Sequence, residues 1–227
     1  MPIGASVGRV SIHRTYRGVS ADVRREQRRA ALLDAALDLL GSDDSDISVR
    51  RVCSRSRLTQ RYFYESFTNL DELQLALLHQ IADEIALEGA AALADHDPVD
   101  LYGACRAAFE GAYSAFEEDP RKAKAALMVA SGTAGLTEAR RRIVLSYAEA
   151  MAAFFGKEYG DAVDAPRGRV ALLYAVGGAL EVTHAVLNGD VELSHDELSD
   201  TVGRLLASSI QRVALDIRNG AVVDQAP

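Results

Sequence analysis

Residues 48–73, SVRRVCSRSRLTQRYFYESFTNLDEL, hold two short helical patterns separated by a four-residue break. In the first, Val49, Val52 and Cys53 recur at spacings of three and four, giving a short helix one apolar face and a basic face of Arg50, Arg51 and Arg55. Ser48 stands where a hydroxyl can accept from the unpaired amides of the first turn. The pattern restarts at Thr59, the expected cap of a second helix. Leu58 before the cap and Phe63 inside the helix form the two ends of a hydrophobic staple. Phe63 and Phe67 then hold this helix to a core, and Gln60, Arg61 and Tyr62 are left on its first turn. That is where the second helix of a helix-turn-helix presents side chains to base edges in the major groove.

The succession Leu58-Thr59, Phe63-Tyr64, Phe67 and Asp71-Glu72-Leu73 resembles the DNA-binding signature of the TetR family of transcriptional regulators, over roughly residues 24 to 75. Three positions depart from it. Ser56-Arg57 replaces the usual Ala-Gly of the turn, so a backbone that often takes positive φ is assigned to a residue with a side chain. Leu70 replaces a frequent Lys, and Glu65-Ser66 precedes Phe67 where aromatic or His residues are common. The resemblance implies that Gln60, Arg61 and Tyr62, joined by Arg50, read bases, and that Ser48, Thr59 and Tyr64 contact phosphates. The partner is then an operator in double-stranded DNA.

At 227 residues and 48% apolar, the chain can build a sizeable core. Five Pro, no Trp and abundant Ala and Leu favour helices, and no alternating strand pattern competes. The expected fold is all-α, an N-terminal three-helix helix-turn-helix DNA-binding domain followed by a larger C-terminal helical domain for ligand binding and dimerisation. The boundaries are a mobile tail at 1–20, the DNA-binding domain at 21–75 and the effector and dimerisation domain at 76–227. Arg9, Arg14 and Arg17 in the tail could serve as an arm reaching the minor groove.

The net charge of −8 divides unevenly. Residues 1–73 carry 12 Arg and no Lys against 10 acidic residues, whereas 74–227 carry 13 Lys and Arg against 23 acidic. A basic end on an acidic body suits local docking to DNA and opposes a loose coat on nucleic acid. Two isolated cysteines, no signal-like N-terminus and no run of about 18 apolar residues lead to the expectation of a soluble cytoplasmic protein with no membrane partner.

Helix signals divide the remainder. Ala21 to Leu40 carries Leu33, Ala36, Leu37 and Leu40 on one stripe, with Arg24, Arg25, Arg28 and Arg29 crowding its first half. Cations there oppose the helix dipole, which a neutralising partner explains more economically than the usual solvated face. Asn69 or Thr68 opens a long helix to about Ala94, striped by Leu73, Leu77, Ile81 and Ile85. Asp97-Pro98 and Asp119-Pro120 read as helix starts, with Asp97 as a cap. A helix from Thr137 through Phe155 follows, then two long ones at about 166–187 and 194–218, the last opened by a Ser194–Glu197 capping box.

Tyr102, Phe109, Tyr113, Met128, Tyr147, Met151 and Tyr174 lie at helical spacings that ordinary core packing explains. The resemblance adds that such regulators bind a small-molecule effector among these helices, which makes these residues, with Glu181 and His184, candidates for a largely apolar pocket. Glu181 and His184 serve equally well as a polar pair between helices. The resemblance also implies a homodimer through the last two long helices, repression as the default output, and release from a palindromic operator by the effector. No cofactor or metal is called for. The five histidines are dispersed, and no nucleophile motif, zinc motif or phosphate loop is present, so an enzyme is not expected. The competing reading is a dimeric helical adaptor or scaffold with a vestigial helix-turn-helix.

Overall fold

The computed structural model describes residues 21–42, 46–130, 133–160, 163 and 165–223, with the side chains at 127–130, 157, 213 and 216–223 outside the description. The segment 1–20, with Arg9, Arg14 and Arg17, lies outside the described residues.

The described elements are helices: α1 (Ala21–Leu40), α2 (Val49–Ser56), α3 (Gln60–Ser66), α4 (Leu70–Leu93), α5 (Leu101–Glu118), α6 (Arg121–Ala130), α7 (Ala134–Tyr159), α8 (Pro166–Leu187) and α9 (His195–Val223). α1, α2 and α3 pack on one another, and α4 leaves this group to run between α5, α6 and α7. α9 packs on α5 and α8, and α8 on α7.

The first three helices close around Leu32, Leu40, Val52, Phe63 and Leu73, each 2% exposed or less. Burying each such side chain is worth about 1.5–3 kcal/mol, enough to hold helices of 8 and 7 residues that would not persist alone. Ser48 caps α2 as expected, its Oγ accepting from the Arg51 amide at 3.3 Å. Thr59 does not cap α3. Its backbone is in the cap conformation, φ −84° and ψ 159°, but its hydroxyl makes no bond to the first-turn amides. The approach of α3 is set by Phe63 and by Leu58, which packs on the core, so the cap bond is dispensable. Arg57 takes φ 57° and ψ 29°, the left-handed conformation anticipated for the turn.

α4 starts at Asn69, whose side chain accepts from the Glu72 amide at 2.9 Å, while Glu72 receives the Thr68 amide at 2.6 Å. Leu73, Leu77, Ile81 and Ile85 are buried along its length. α4 and α5 approach closely at Gly111, where a Cβ would stand 2.6 Å from the Glu88 carbonyl oxygen and 2.8 Å from the Ala92 Cβ. Asp97 is not the cap of α5. It closes a separate turn by accepting from the Val99 amide at 3.0 Å, and Asp100 caps the helix by accepting from Gly103 at 3.0 Å. α7 begins three residues earlier than expected, because Thr133 rather than Thr137 supplies the extended residue before it. The Ser194–Glu197 capping box is present, with Ser194 Oγ and the Glu197 carboxylate exchanging bonds with each other's amides. Both cysteines are buried thiols. Burial pushes Cys105 up to about 12 and also raises Cys53.

Candidate nucleic-acid interface and apolar cavity

The exposed side of α2 and α3 carries Arg50, Thr59, Gln60, Arg61 and Tyr64, with Ser48 and Tyr62 half-buried at its margins. Two cations on this side, Arg50 and Arg57, make no ion pair with any described residue. The others are engaged. Arg51 lies 3.3 Å from Asp46, and Arg55 donates to Asp38 at 2.7 Å. Arg61 donates from Nε to Glu65 Oε1 at 3.0 Å, yet its side chain is 84% exposed. Tyr64 stands edge-on to Phe63 at 5.3 Å between centroids. Tyr62 is turned toward α1, where the Arg28 guanidinium lies 4.6 Å from its ring centre. Of the three first-turn residues, Gln60 and Arg61 therefore face outward most fully.

The arginines of α1 find partners inside the protein. Arg25 donates to the Glu65 carbonyl oxygen at 3.2 Å, Arg28 lies 3.7 Å from the Glu65 carboxylate, and Arg29 stacks 4.9 Å from the Phe67 centroid. They dock α3 onto α1 and relieve part of the dipole conflict.

A second cluster joins this domain to the body. Asp38 on α1 accepts from Arg55 of α2 and from Arg121 at the start of α6, and Arg121 also bonds Asp119 at 2.7 Å and lies 3.4 Å from Asp34. Burial pulls the Asp38 carboxyl upward, but hydrogen bonds and charge from Arg55 and Arg121 together outweigh it and hold it below the ordinary range. Lys122 pairs with Glu84 of α4. Gly41 makes room for this junction, since a Cβ there would lie 2.6 Å from the Arg121 Cβ. No local motif pointed to this cluster, because its partners lie on separate helices.

Within the body, a cavity of about 160 Å³ opens between α4, α5, α7 and α8. Phe109, Tyr113, Tyr147 and Met151, four of the candidates named from the sequence, are in its lining. Its hollow comes from small residues, among them Ala86, Gly89, Ala108, Ala112, Ala150 and Ala179, with Leu93, Phe116, Leu180, Thr183 and Leu206 of α9 also in the wall. The lining contains no ionisable acid or base other than tyrosine. Two of its hydroxyls are satisfied internally: Tyr147 donates to the Ala82 carbonyl at 2.7 Å and Thr183 to Ala179 at 2.8 Å. Burial raises the Tyr147 phenol, with the Asp83 charge adding to it.

The remaining candidates lie elsewhere. Tyr102 donates to Asp200 beneath the Arg204 guanidinium, Glu181 pairs with Arg140 on α7, and the Met128 side chain lies outside the described residues. Half-buried His184 has its imidazole pKa lowered by burial and by Arg140, against the pull of Glu181. Tyr174 is 77% exposed on the outer face of α8, in line with Val170, itself 66% exposed, and with the uncovered Gly177 and Gly178. Leu205 and Leu215 of α9 are exposed as well. By length and composition α8 alone among the described helices could cross a membrane, and little of it is buried within the chain.

The geometry is that of an all-helical chain with a helix-turn-helix at one end and a helical body that holds an apolar cavity. More narrowly, the chain has the fold of the TetR-family transcriptional regulators. A fatty acid degradation regulator, FadR, from Bacillus halodurans superposes with a TM-score of 0.65 at 15% identity, over 78% of this chain and 97% of the other. A TetR-family transcriptional regulator from Streptomyces coelicolor superposes with a TM-score of 0.63 at 16% identity, over 88% of each chain. A TetR-like transcriptional regulator from Rhodococcus sp. RHA1 gives 0.61 at 18% identity, over 83% and 96%. No family model and no curated protein matches the sequence.

Proposed function

We propose that this chain is a dimeric, sequence-specific DNA-binding transcriptional regulator, a repressor released from its operator by a small apolar effector. The observation that carries the reading is the union in one chain of an outward-facing Arg50, Gln60 and Arg61 on a buried-core helix-turn-helix with an apolar cavity, the two joined by α4. Gln60, Arg61 and Arg50 are the base readers in this proposal, and Ser48, Thr59 and Tyr64 contact phosphates. Tyr62 contributes through its position against Arg28.

The exposed apolar line of Val170, Tyr174, Gly177 and Gly178 on α8, together with the exposed Leu205 of α9, supports a twofold dimer built on α8 and α9. Two recognition helices then sit about one DNA turn apart, ~34 Å, and read an inverted repeat.

The cavity supports a neutral effector. The structural neighbour from Bacillus halodurans is described as a regulator of fatty acid degradation; no cation lines this cavity, so a carboxylate has no partner within it. Its 160 Å³ is close to the ~150 Å³ of an engineered apolar cavity that takes up benzene, so a small alkyl or aromatic molecule fits.

The test is selection of bound sequences from a random duplex pool at two salt concentrations. An inverted repeat whose affinity falls steeply with salt is the expected result. Folded, dimeric protein that enriches nothing would favour the adaptor reading.

A further inference from the structure

Glu65 stands in the recognition helix, on the side of the chain that would meet phosphates, where a carboxylate opposes binding. Its surroundings give it a use. Arg61 donates to it from Nε at 3.0 Å, Arg28 lies 3.7 Å away on its other oxygen, and Arg25 holds its carbonyl at 3.2 Å. The carboxylate is thus fixed from α1 and in turn fixes Arg61. An exposed pair four residues apart with the arginine first contributes little to stability, so stability is not the reason for it.

We infer that Glu65 is a positioning residue for sequence specificity: it holds Arg61 by Nε with both terminal nitrogens facing outward, and its charge disfavours docking by phosphate contacts alone. This rests on the DNA-binding reading above. An unrestrained arginine samples many rotamers and pairs with any phosphate, which strengthens binding to every sequence alike. With Nε occupied, the terminal nitrogens keep their fork for the O6 and N7 acceptors of a guanine, and no other described residue bonds them. The repulsion of Glu65 from the backbone weakens correct and incorrect duplexes equally. The orientation of Arg61 favours only the correct one. The ratio of the two affinities rises.

The experiment measures affinity for the selected operator and for a scrambled duplex across a salt series, in the full-length wild type, Glu65→Gln and Glu65→Asp, each also with Arg61→Gln. Glu65→Gln is expected to bind the scrambled duplex several-fold more tightly, with a log-log salt slope steeper by about one, and to lose about tenfold in the operator-to-scrambled ratio. Glu65→Asp keeps the charge but shortens the reach to Arg61, so its scrambled affinity rises less than that of Glu65→Gln while the ratio still falls below the wild-type value. With Arg61→Gln already present, neither substitution changes the ratio further. An unchanged ratio in Glu65→Gln overturns the inference. If that variant does not fold, a wild-type ratio in Glu65→Asp overturns it instead. A wild type that prefers no sequence refutes the DNA-binding reading, a result distinct from either.

Discussion

Replacing Ala179 with Leu tests whether the cavity is a real, unoccupied volume and the seat of the effector. Ala179 lies on α8 in the cavity wall, and three added carbons project into a space of about 160 Å³. Burying three carbons at ~0.8 kcal/mol each, less about 0.5–1 kcal/mol for immobilising the side chain, leaves a gain of about 1.5 kcal/mol. For a domain of this length that raises Tm by roughly 3–6 °C at a fixed protomer concentration. The assay is thermal unfolding with and without a saturating small arene such as toluene, followed by operator binding. Wild type is expected to gain stability from the arene; Ala179→Leu is expected to start higher and gain nothing, while retaining its affinity for the operator. A fall in Tm on Ala179→Leu would mean the site is already close-packed, because forcing carbons into a filled core costs about 1–3 kcal/mol. That sign alone refutes the cavity argument, and an arene response that survives the substitution refutes the effector site.

Tyr174→Arg places a charge on the exposed apolar line of α8 and is expected to yield a folded monomer by sedimentation, with operator affinity lost at least tenfold. Asp38→Asn removes the carboxylate shared by Arg55 and Arg121 and is expected to cost about 1–3 kcal/mol in denaturant unfolding at neutral pH. Because the folded Asp38 carboxyl lies below its ordinary value, its contribution is complete above the ordinary carboxylate range and disappears as pH falls through the folded value, so wild type and variant converge in acid. Arg57→Gly relieves a left-handed residue worth roughly 1–2 kcal/mol but adds about 0.5–1 kcal/mol of unfolded-chain entropy. Stability therefore rises by no more than about 1.5 kcal/mol, while the salt slope of DNA binding falls by about one if Arg57 meets a phosphate.

What could be read from the chain beforehand followed the range of each interaction. The helix-turn-helix was legible because Val52, Phe63 and Phe67 obey a helical period and settle a small core among near neighbours. Even the positive φ at Arg57 followed from its place in the turn. Asp97-Pro98 misled because a carboxylate before a proline closes an isolated turn as readily as it caps a helix, and only Asp100, two residues past the proline, decides between them. The cavity was half legible. Rings at Phe109, Tyr113 and Tyr147 are conspicuous, but a hollow is made by what is small, and Ala and Gly in a helix announce nothing until the facing helix is placed. Tyr102, Tyr174 and Glu181 share the helical spacing of the lining residues and differ only in which neighbour their face meets. The engagement of Arg121 with Asp34 and Asp38 spans more than 80 residues of chain and has no local sign.

That same junction shapes how an effector signal would travel in the proposed mechanism. α4 starts in the core of the helix-turn-helix unit at Leu73 and ends in the cavity wall at Gly89 and Leu93, about 30 Å along one helix. Its far half is pressed against α5, where Gly111 leaves no slack, so an effector that reaches past the preformed volume toward α4 would move α4 as a stiff rod. The helix cannot tilt freely, because α6 holds α1 through Arg121 and Asp38 and holds α4 just past its middle through Lys122 and Glu84. A tilt of α4 must therefore either carry α1 with it or break these pairs. The cavity also bounds the effect. A ligand shifts the equilibrium only by its difference in affinity for the two states, and linkage makes effector and operator weaken each other by one factor. An apolar molecule small enough for 160 Å³ has few atoms to contribute, which places that factor at the modest end, about tenfold, and makes the Asp38–Arg121 pair a sensitive point at which to raise or lower it.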